Sequence, residues 1–230
     1  TKKQGSVLYA SISSNALEES IDLAKYSFDN GVDVLVATLP SYYALTETAM
    51  LKYLEQLAEN VPGPLMIYNI PGTTHMSIPL NIIDQLSHHS NVVGIKDSER
   101  SDERLNQSIG LWKDRKDFSH LLGWAAKSAD SLLIGSYGLV PRTGNFNAPL
   151  YADLFKAARE GNSNKAFELQ KLSDGPGNLY QQGRTLGESL WALKVLTKEI
   201  GLCEPNLMPP IYQQSKEEEE IANMKRDQDI

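Results

Sequence analysis

Leu65-Met-Ile-Tyr-Asn-Ile-Pro-Gly-Thr-Thr74 and, one repeat later, Val92-Val-Gly-Ile-Lys-Asp97 decide how this chain folds. Each is a short apolar run that breaks abruptly into polar residues. Neither alternates with polar positions, as expected of parallel strands covered on both faces. Working outward, four more such runs appear: Val7-Leu8-Tyr9-Ala10, Val32 to Ala37, His120 to Leu122, and Gly138-Leu139-Val140. Their starts lie roughly 25 to 30 residues apart, with the last spacing shorter, which is the length of a βαβ unit. Repetition of that unit builds either a doubly wound sheet or a (β/α)8 barrel. Six strands are visible where a barrel has eight, so the pattern by itself leaves both open.

The intervening segments carry helical periodicity. Leu17, Ile21, Ala24 and Phe28 share a face that stops at Asn30-Gly31. Met50, Leu51, Leu54, Leu57 and Ala58 form the next stripe. Ile82, Ile83 and Leu86 follow Ser77-Ile-Pro79, where a proline's missing N–H costs nothing. Leu105, Ile109 and Trp112 make another, and Leu150, Leu154, Phe155 and Ala158 one that closes at Gly161. Beyond it the strand signal stops. Residues 162–200 read as two helices, the first carrying Ala166, Phe167, Leu169 and Leu172 and the second Leu186, Leu190, Leu193 and Leu196. Asp174-Gly-Pro-Gly177 is expected to interrupt them, and Leu207-Met-Pro-Pro210 is a break. Glu217 to Glu220 reads as a solvated helix face. The expected division is a barrel portion over 1–161 and a C-terminal helical extension over 162–230.

The bulk numbers exclude several functions. With 230 residues, 41% hydrophobic and 22% charged, the chain can bury a core without staples. Cys203 is the sole cysteine, which rules out a disulfide within the chain and fits a reducing, cytoplasmic setting. Its surroundings, Gly-Leu-Cys-Glu-Pro, offer no base or positive charge to activate it. A net charge of −7 without a basic tract argues against a nucleic-acid partner. Thr-Lys-Lys-Gln-Gly5 opens no secretory signal, and no apolar run approaches the roughly 18 residues that span a bilayer, so no membrane partner is expected. His75, His88, His89 and His120 lack metal-ligand spacing with carboxylates. No Gly-x-Gly-x-x-Gly precedes a helix and no P-loop occurs. Neither a metal nor another cofactor is expected.

In parallel α/β folds the site gathers at the carboxyl ends of the strands. The first polar residues after each run are therefore informative: Tyr68-Asn69, Lys96-Asp97, and Gly123-Trp124. Tyr68 and Lys96 are 28 residues apart, one repeat, and belong side by side on neighbouring strands. A lysine ending a Val-Val-Gly-Ile run projects its nitrogen into an apolar cavity. Desolvation there favours the uncharged amine, the form that attacks a ketone carbonyl. The imine so formed is an electron sink for breaking the adjacent carbon–carbon bond. The Tyr68 phenol can both donate and accept, which suits it to carry protons. A plainer reading stays open beside this one: Lys96 paired with a rim carboxylate, and Tyr68 an ordinary core aromatic.

Met66-Ile-Tyr-Asn-Ile-Pro-Gly-Thr-Thr74, Val93-Gly-Ile-Lys-Asp97 and the earlier Leu39-Pro-Ser-Tyr-Tyr-Ala-Leu-Thr46 resemble, in order and spacing, the dihydrodipicolinate synthase and N-acetylneuraminate lyase family of class I aldolases. The resemblance extends over the whole chain and takes in Gly123, the Gly138-Leu-Val140 to Asn145 segment and a three-helix C-terminal extension. It implies a (β/α)8 TIM barrel, a homo-oligomer built as a dimer of dimers, and metal-free imine chemistry on a small 2-keto acid such as pyruvate or a sugar acid. On the matching positions Lys96 is the imine-forming lysine and Tyr68 the proton relay. Tyr43 is the tyrosine contributed near the dimer interface, often to a neighbour's site, although Tyr42 and Tyr43 read equally as interface or core aromatics. Thr73, Gly123 and Val140 fall at substrate-binding positions. Arg142, at the end of the last strand, is read as a bidentate partner for a distal carboxylate or polar tail, with a surface arginine as the alternative.

The departures from the family pattern shape the expectation. The first run matches the family's third strand, so the chain corresponds to strands 3 to 8 and lacks the first two βα units, roughly 60 to 70 residues. The Gly-Thr-Thr-Gly-Glu-type loop that holds the pyruvate carboxylate has no counterpart either. An open sheet edge, exposed or filled by a partner, should result. Thr73 stands where dihydrodipicolinate synthases place a carboxylate-clamping arginine, and Trp124-Ala-Ala126 where sialic acid cleavers place an acidic pair. The expected activity is therefore cleavage or dehydration of a 2-keto-3-deoxy sugar acid through a Lys96 imine, releasing pyruvate in the first case. A dihydrodipicolinate synthase and a non-catalytic pyruvate-binding homologue are the alternatives.

Overall fold

The computed structural model describes residues 5–212. The chain divides into two compact units, one comprising everything up to Trp124 together with Ile134–Val140, the other Ala125–Leu133 with everything from Pro141 on. The units part where the chain leaves the last two strands, earlier than the 161/162 point at which the strand signal stops.

The first unit holds six parallel strands: β1 Tyr9–Ser11, β2 Val34–Ala37, β3 Leu65–Asn69, β4 Val92–Asp97, β5 Ser119–Leu122 and β6 Gly138–Leu139. Helices α1 Leu17–Asp29, α2 Glu47–Asn60, α3 Pro71–Thr74, α4 Leu80–Leu86 and α5 Asp102–Trp112 fill the connections. The strand order is β1-β2-β3-β4-β5-β6, without reversal. That order separates the two architectures left open by the sequence. A doubly wound sheet reverses direction at a switch point, whereas a barrel adds each strand on the same side. The sheet is a parallel half-barrel of the TIM type.

Every expected strand forms, with ends shifted by a residue or two. The first run was expected over Val7 to Ala10 but pairs over Tyr9–Ser11. Leu8 is occupied by the start of the next unit: its N–H donates to Asp33 Oδ2 at 2.7 Å and its carbonyl accepts from the Asp33 and Val34 amides. Coverage on both faces fails at this edge, where Tyr9 is 46% exposed. Elsewhere the pleat is divided cleanly. Outward-facing Leu35, Ala37, Leu65, Ile67 and Ile95 meet Leu54, Leu57, Ile82, Ile83 and Trp112 of the helical layer in one buried cluster. Each buried Leu or Ile among them contributes about 1.5–3 kcal/mol. Caps fix the helix starts, with Thr46 Oγ1 accepting from the Ala49 amide and Ser101 Oγ from the Arg104 amide. Phe28, expected in the buried stripe of α1, is instead partly exposed.

The second unit contains α6 Ser128–Leu133, α7 Ala148–Arg159, α8 Ser163–Gln181 and α9 Leu186–Glu199. The expected interruption at Asp174–Gly177 does not occur, and α8 runs straight through it. Its buried face continues across the gap: Ala166, Leu169, Gln170, Ser173, Pro176, Gly177 and Tyr180 recur at helical spacing. Packing of that face outweighs the hydrogen bond that Pro176 cannot donate. Tyr151 bonds Ser173 at 2.6 Å and Tyr180 bonds Thr143 at 3.1 Å, which fixes the face on both sides of the proline. Phe155, Phe167 and Leu172, expected inward, are exposed. The unit's core is Leu179, Tyr180, Trp191, Leu193, Val195 and Leu196, below a capping box of Thr185 and Glu188 that starts α9. Glu217 to Glu220 lie outside the described residues. Among the described residues no helix is long and apolar enough to cross a membrane.

Candidate active site

Strand register creates the site. Leu65 pairs with Val92, but the next residue, Met66, pairs with Gly94, so β4 carries one extra residue at Val93. This bulge brings Tyr68 opposite Lys96 and Asn69 opposite Asp97. Without it Lys96 would stand opposite Asn69. Successive residues point to opposite faces, so Tyr68 and Lys96 share the inner face while Asn69 and Asp97 share the outer one. Gly94, below Lys96, has to be glycine: a Cβ there would collide with the Ser119 carbonyl oxygen and lie 3.1 Å from Met66 Cε.

The inner face opens into a cavity of about 520 Å³, lined by Tyr9 and Ser11 from β1 and Ser13 just after it, by Val36, Thr38 and Ser41, by Met66, Tyr68 and Thr73, and by Lys96, Leu121 and Val140. Its wall combines apolar side chains with hydroxyls, and Lys96 is its one charged member. Lys96 Nζ lies 4.0 Å from the centroid of the Tyr68 ring. Among the described residues no carboxylate pairs with it, so the plainer reading of a rim ion pair does not describe this lysine. Ser13 Oγ accepts from the Thr38 amide and stands 3.2 Å from Ser11 Oγ, fixing the opposite wall. Burial first, and then the Tyr137 phenol, push the Tyr9 phenol up from its ordinary value.

Of the residues expected from the sequence, Lys96, Tyr68, Thr73 and Val140 line this cavity. Gly123 bears on it from behind. Its amide donates to the Asp97 carbonyl at 2.7 Å, and a Cβ there would collide with Ser98 Oγ. Ser98 Oγ in turn lies 3.4 Å from the Tyr68 hydroxyl, a group that sequence reasoning missed although it stands two residues after the lysine. Tyr43 is not in the wall. It is 73% exposed and stacked edge-on against Tyr42, with ring centroids 4.6 Å apart. Arg142 belongs to the second unit, where its Nη1 donates to Ser189 Oγ at 2.8 Å.

Behind the strand ends lies a polar network that the sequence did not announce. Asn69 and Asp97 are 1% and 4% exposed. Asn69 Nδ2 donates to Asp97 Oδ1 and to Glu99 Oε2, both at 3.0 Å, while Arg104 Nε contacts Asp97 Oδ2 at 2.7 Å. The available signal was positional: two polar residues, each directly after a proposed catalytic one and one repeat apart.

One further titratable group is buried nearby. His120, on β5, sits between Ser108 Oγ at 3.2 Å and Ser136 Oγ at 3.0 Å. Burial pushes its imidazole down to about 4, opposed by Asp97. Among the described residues no group of three His, Cys, Asp or Glu side chains could hold a metal ion.

A parallel half-barrel wound in one direction, with an unpaired lysine and a tyrosine facing each other at its carboxyl rim, defines a barrel protein of the lysine-bearing kind. The chain belongs to the dihydrodipicolinate synthetase family, whose model matches residues 3–226. It is similar to the putative 2-dehydro-3-deoxy-D-gluconate aldolase YagE of Escherichia coli, 32% identical over 150 residues, a match that takes in 64% of this chain but only 50% of that protein. An uncharacterized DapA-like lyase of Thermococcus kodakarensis is 30% identical over 93% of this chain and 72% of its own length. Among solved structures, the dihydrodipicolinate synthase of Bacteroides thetaiotaomicron superposes with a TM-score of 0.87 at 26% identity, covering 96% of this chain and 75% of that one. YagE, solved in complex with pyruvate, has the same fold at a TM-score of 0.88 and 24% identity, covering 97% of this chain and 76% of its own.

Proposed function

We propose that the protein is a class I lyase acting on a 2-keto-3-deoxy sugar acid, with Lys96 as the imine-forming amine and pyruvate as a product. The observation that carries this reading is the pairing of Lys96 with Tyr68 on the inner face of one cavity, with no carboxylate bound to the amine among the described residues. Lys96 Nζ attacks the C2 ketone, and the carbinolamine loses water to leave an imine. A base removes the C4 hydroxyl proton, the C3–C4 bond breaks, and its electron pair passes into the imine to give an enamine and a free aldehyde. Protonation at C3 and hydrolysis by one water return pyruvate and the amine. Tyr68, with Ser98 at 3.4 Å, is within reach to carry the protons. The hydroxyls of Ser11, Ser13, Thr38 and Thr73 suit a polyol chain. Loss of the C4 hydroxyl in place of C3–C4 cleavage would use the same imine and give the dehydratase variant. The name borne by YagE and the pyruvate in its structure agree with this substrate class.

In the active protein we expect the half-barrel to be closed by two more βα units along β1 and β6, and the exposed Tyr42–Tyr43 pair to face a second copy in a cytoplasmic homo-oligomer. Arg142 is proposed, on its sequence position alone, as the partner of a distal carboxylate or polar tail of the substrate. The likeness to the Bacteroides synthase favours a second reading, condensation of pyruvate with aspartate semialdehyde. Thr73, which brings a hydroxyl and no positive charge, speaks against it. Borohydride added with pyruvate should attach the reduced adduct to Lys96, as read by peptide mass spectrometry. An adduct elsewhere, or none, would remove the proposal, and product analysis with sugar acids or aspartate semialdehyde separates the two reactions.

A further inference from the structure

We propose that Asn69, Asp97 and Arg104 form a clamp on the outer face of the β3–β4 pair that positions Tyr68 and Lys96 for reaction on the inner face. The proposal rests on Lys96 being the reacting amine. It starts from register. Tyr68 pairs with Lys96 and, one residue on, Asn69 pairs with Asp97, so the two pairs are neighbouring rungs pointing to opposite sides. The outer rung is closed by a side-chain bond, Asn69 Nδ2 to Asp97 Oδ1 at 3.0 Å.

The clamp gathers four elements. Asn69 Oδ1 accepts from the Ile78 amide at 3.0 Å, in the segment that leads into α4. Asp97 Oδ1 also accepts from the Glu99 amide at 3.0 Å, and Asp97 Oδ2 from Arg104 Nε at 2.7 Å. Arg104 stands in the first turn of α5, held there by its own amide's bond to Ser101. Glu99 Oε2 lies 3.4 Å from the same Nε and accepts from Ser77 Oγ at 2.6 Å. Strand ends and helix starts on both sides of the reacting pair are thereby tied together.

Stability alone is a poor reason for this arrangement. Well-packed apolar side chains in place of a buried ion pair are often neutral or stabilising, and Arg104 Nη2 is buried here without a hydrogen-bond partner. What the network supplies is registration at a place that needs it. The bulge at Val93 lies just upstream, and a one-residue slip would turn Lys96 to the outer face. A displacement of even about 1 Å of a reacting group costs on the order of a hundredfold in rate.

The test is a double variant, Asp97→Asn with Arg104→Met, in the full protein. It removes the charges of Asp97 and Arg104 together, leaves the half-buried Glu99 its bonds from Asn69 and Ser77, and the new amide still accepts from Asn69. Circular dichroism and a thermal melt report the folded fraction. Per folded molecule, borohydride trapping of pyruvate at Lys96 should slow about tenfold to a hundredfold, and kcat should fall with KM changed less than about threefold. Unchanged trapping per folded molecule would overturn the clamp. If the double variant does not fold, Arg104→Lys keeps the charge but loses the Nε–H that meets Asp97. A several-fold fall in its trapping rate supports the clamp, and a wild-type rate overturns it. Wild-type protein that traps no pyruvate defeats the lysine reading instead, so the two failures are distinguishable.

Discussion

The β3–β4 seam and the outer edges of the same sheet contain similar apolar residues arranged to different ends. Along the seam every residue from Leu65 to Asn69 has a partner on β4, and Leu65, Ile67 and Ile95 are fully buried. At the edges, β1 has three residues and β6 two, and each pairs with a single neighbour. There Val7, Leu8 and Tyr137 are left exposed. The seam is held by burial, by a bulge that sets its register and by the polar network behind it. The edges are held by their ladder hydrogen bonds, by side-chain bonds of Asp33, Ser13 and Ser136, and at β1 by buried Ile12. In this unit the proposed chemistry falls where the backbone is most constrained, and the exposed edges suit pairing with further strands.

The largest test of that contrast is Lys96→Ala, which should abolish borohydride-dependent labelling by pyruvate altogether. The matching exchange at the edge, Tyr137→Phe, should leave labelling at the wild-type level. Next, Tyr68→Phe should lower kcat by about 10²–10⁴-fold with a smaller change in KM, the range for removing a positioned proton carrier. Steady-state kinetics with the active substrate check it, and a rise in KM with kcat unchanged would make Tyr68 a binding group only.

Stability measurements sharpen the same contrast. Ile67→Ala at the seam should cost about 2–5 kcal/mol, whereas Leu8→Ala at the edge should cost about 0.5 kcal/mol or less. Urea midpoints at constant slope measure both. Equal losses would mean that the edge is covered in solution.

Acid stability tests His120. Its folded value of about 4 lies below the ordinary 6.5, so the unfolded chain takes up the proton first. Stability is then complete above pH 6.5 and declines as the pH falls towards 4, by about 3 kcal/mol once both states are protonated. His120→Asn should flatten the stability curve across that window, as read by denaturant melts at several pH values.

A smaller loss than at Ile67 is expected at Gly123. Gly123→Ala drives a Cβ into Ser98 Oγ, at a cost of about 1–3 kcal/mol. Adding Ser98→Gly should restore part of the loss in thermal melts. No recovery would place the strain elsewhere.

Much of the fold was legible because a strand buried on both sides leaves an uninterrupted apolar run. Leu65 to Tyr68 and Val92 to Ile95 announced both the strands and the polar residues ending them. The failures share a cause. Asp174-Gly-Pro-Gly177 carries every local sign of a break, yet α8 passes through it because the packing of Ala166, Ser173, Pro176 and Tyr180 is decided by residues distant in sequence. Phe155, Phe167 and Leu172 matched a helical period and faced solvent, since periodicity fixes a face but not what lies opposite. Of the site, Lys96, Tyr68, Thr73 and Val140 were legible as residues near strand ends. Ser98, Asn69 and Arg104 were not, because their roles depend on which neighbouring strand or helix they meet.

By itself the amino-acid sequence determined the repeating strand-and-helix plan, the family, and the two residues on which the proposed chemistry turns. All are written in short-range order, in the period of apolar residues and the chemistry that ends each run. Only the tertiary structure decided that the sheet winds one way, that an extra residue at Val93 brings Tyr68 level with Lys96, and that Asn69, Asp97 and Arg104 meet behind them. Register and side-chain encounters arise between segments some 28 residues apart, where no local pattern reaches.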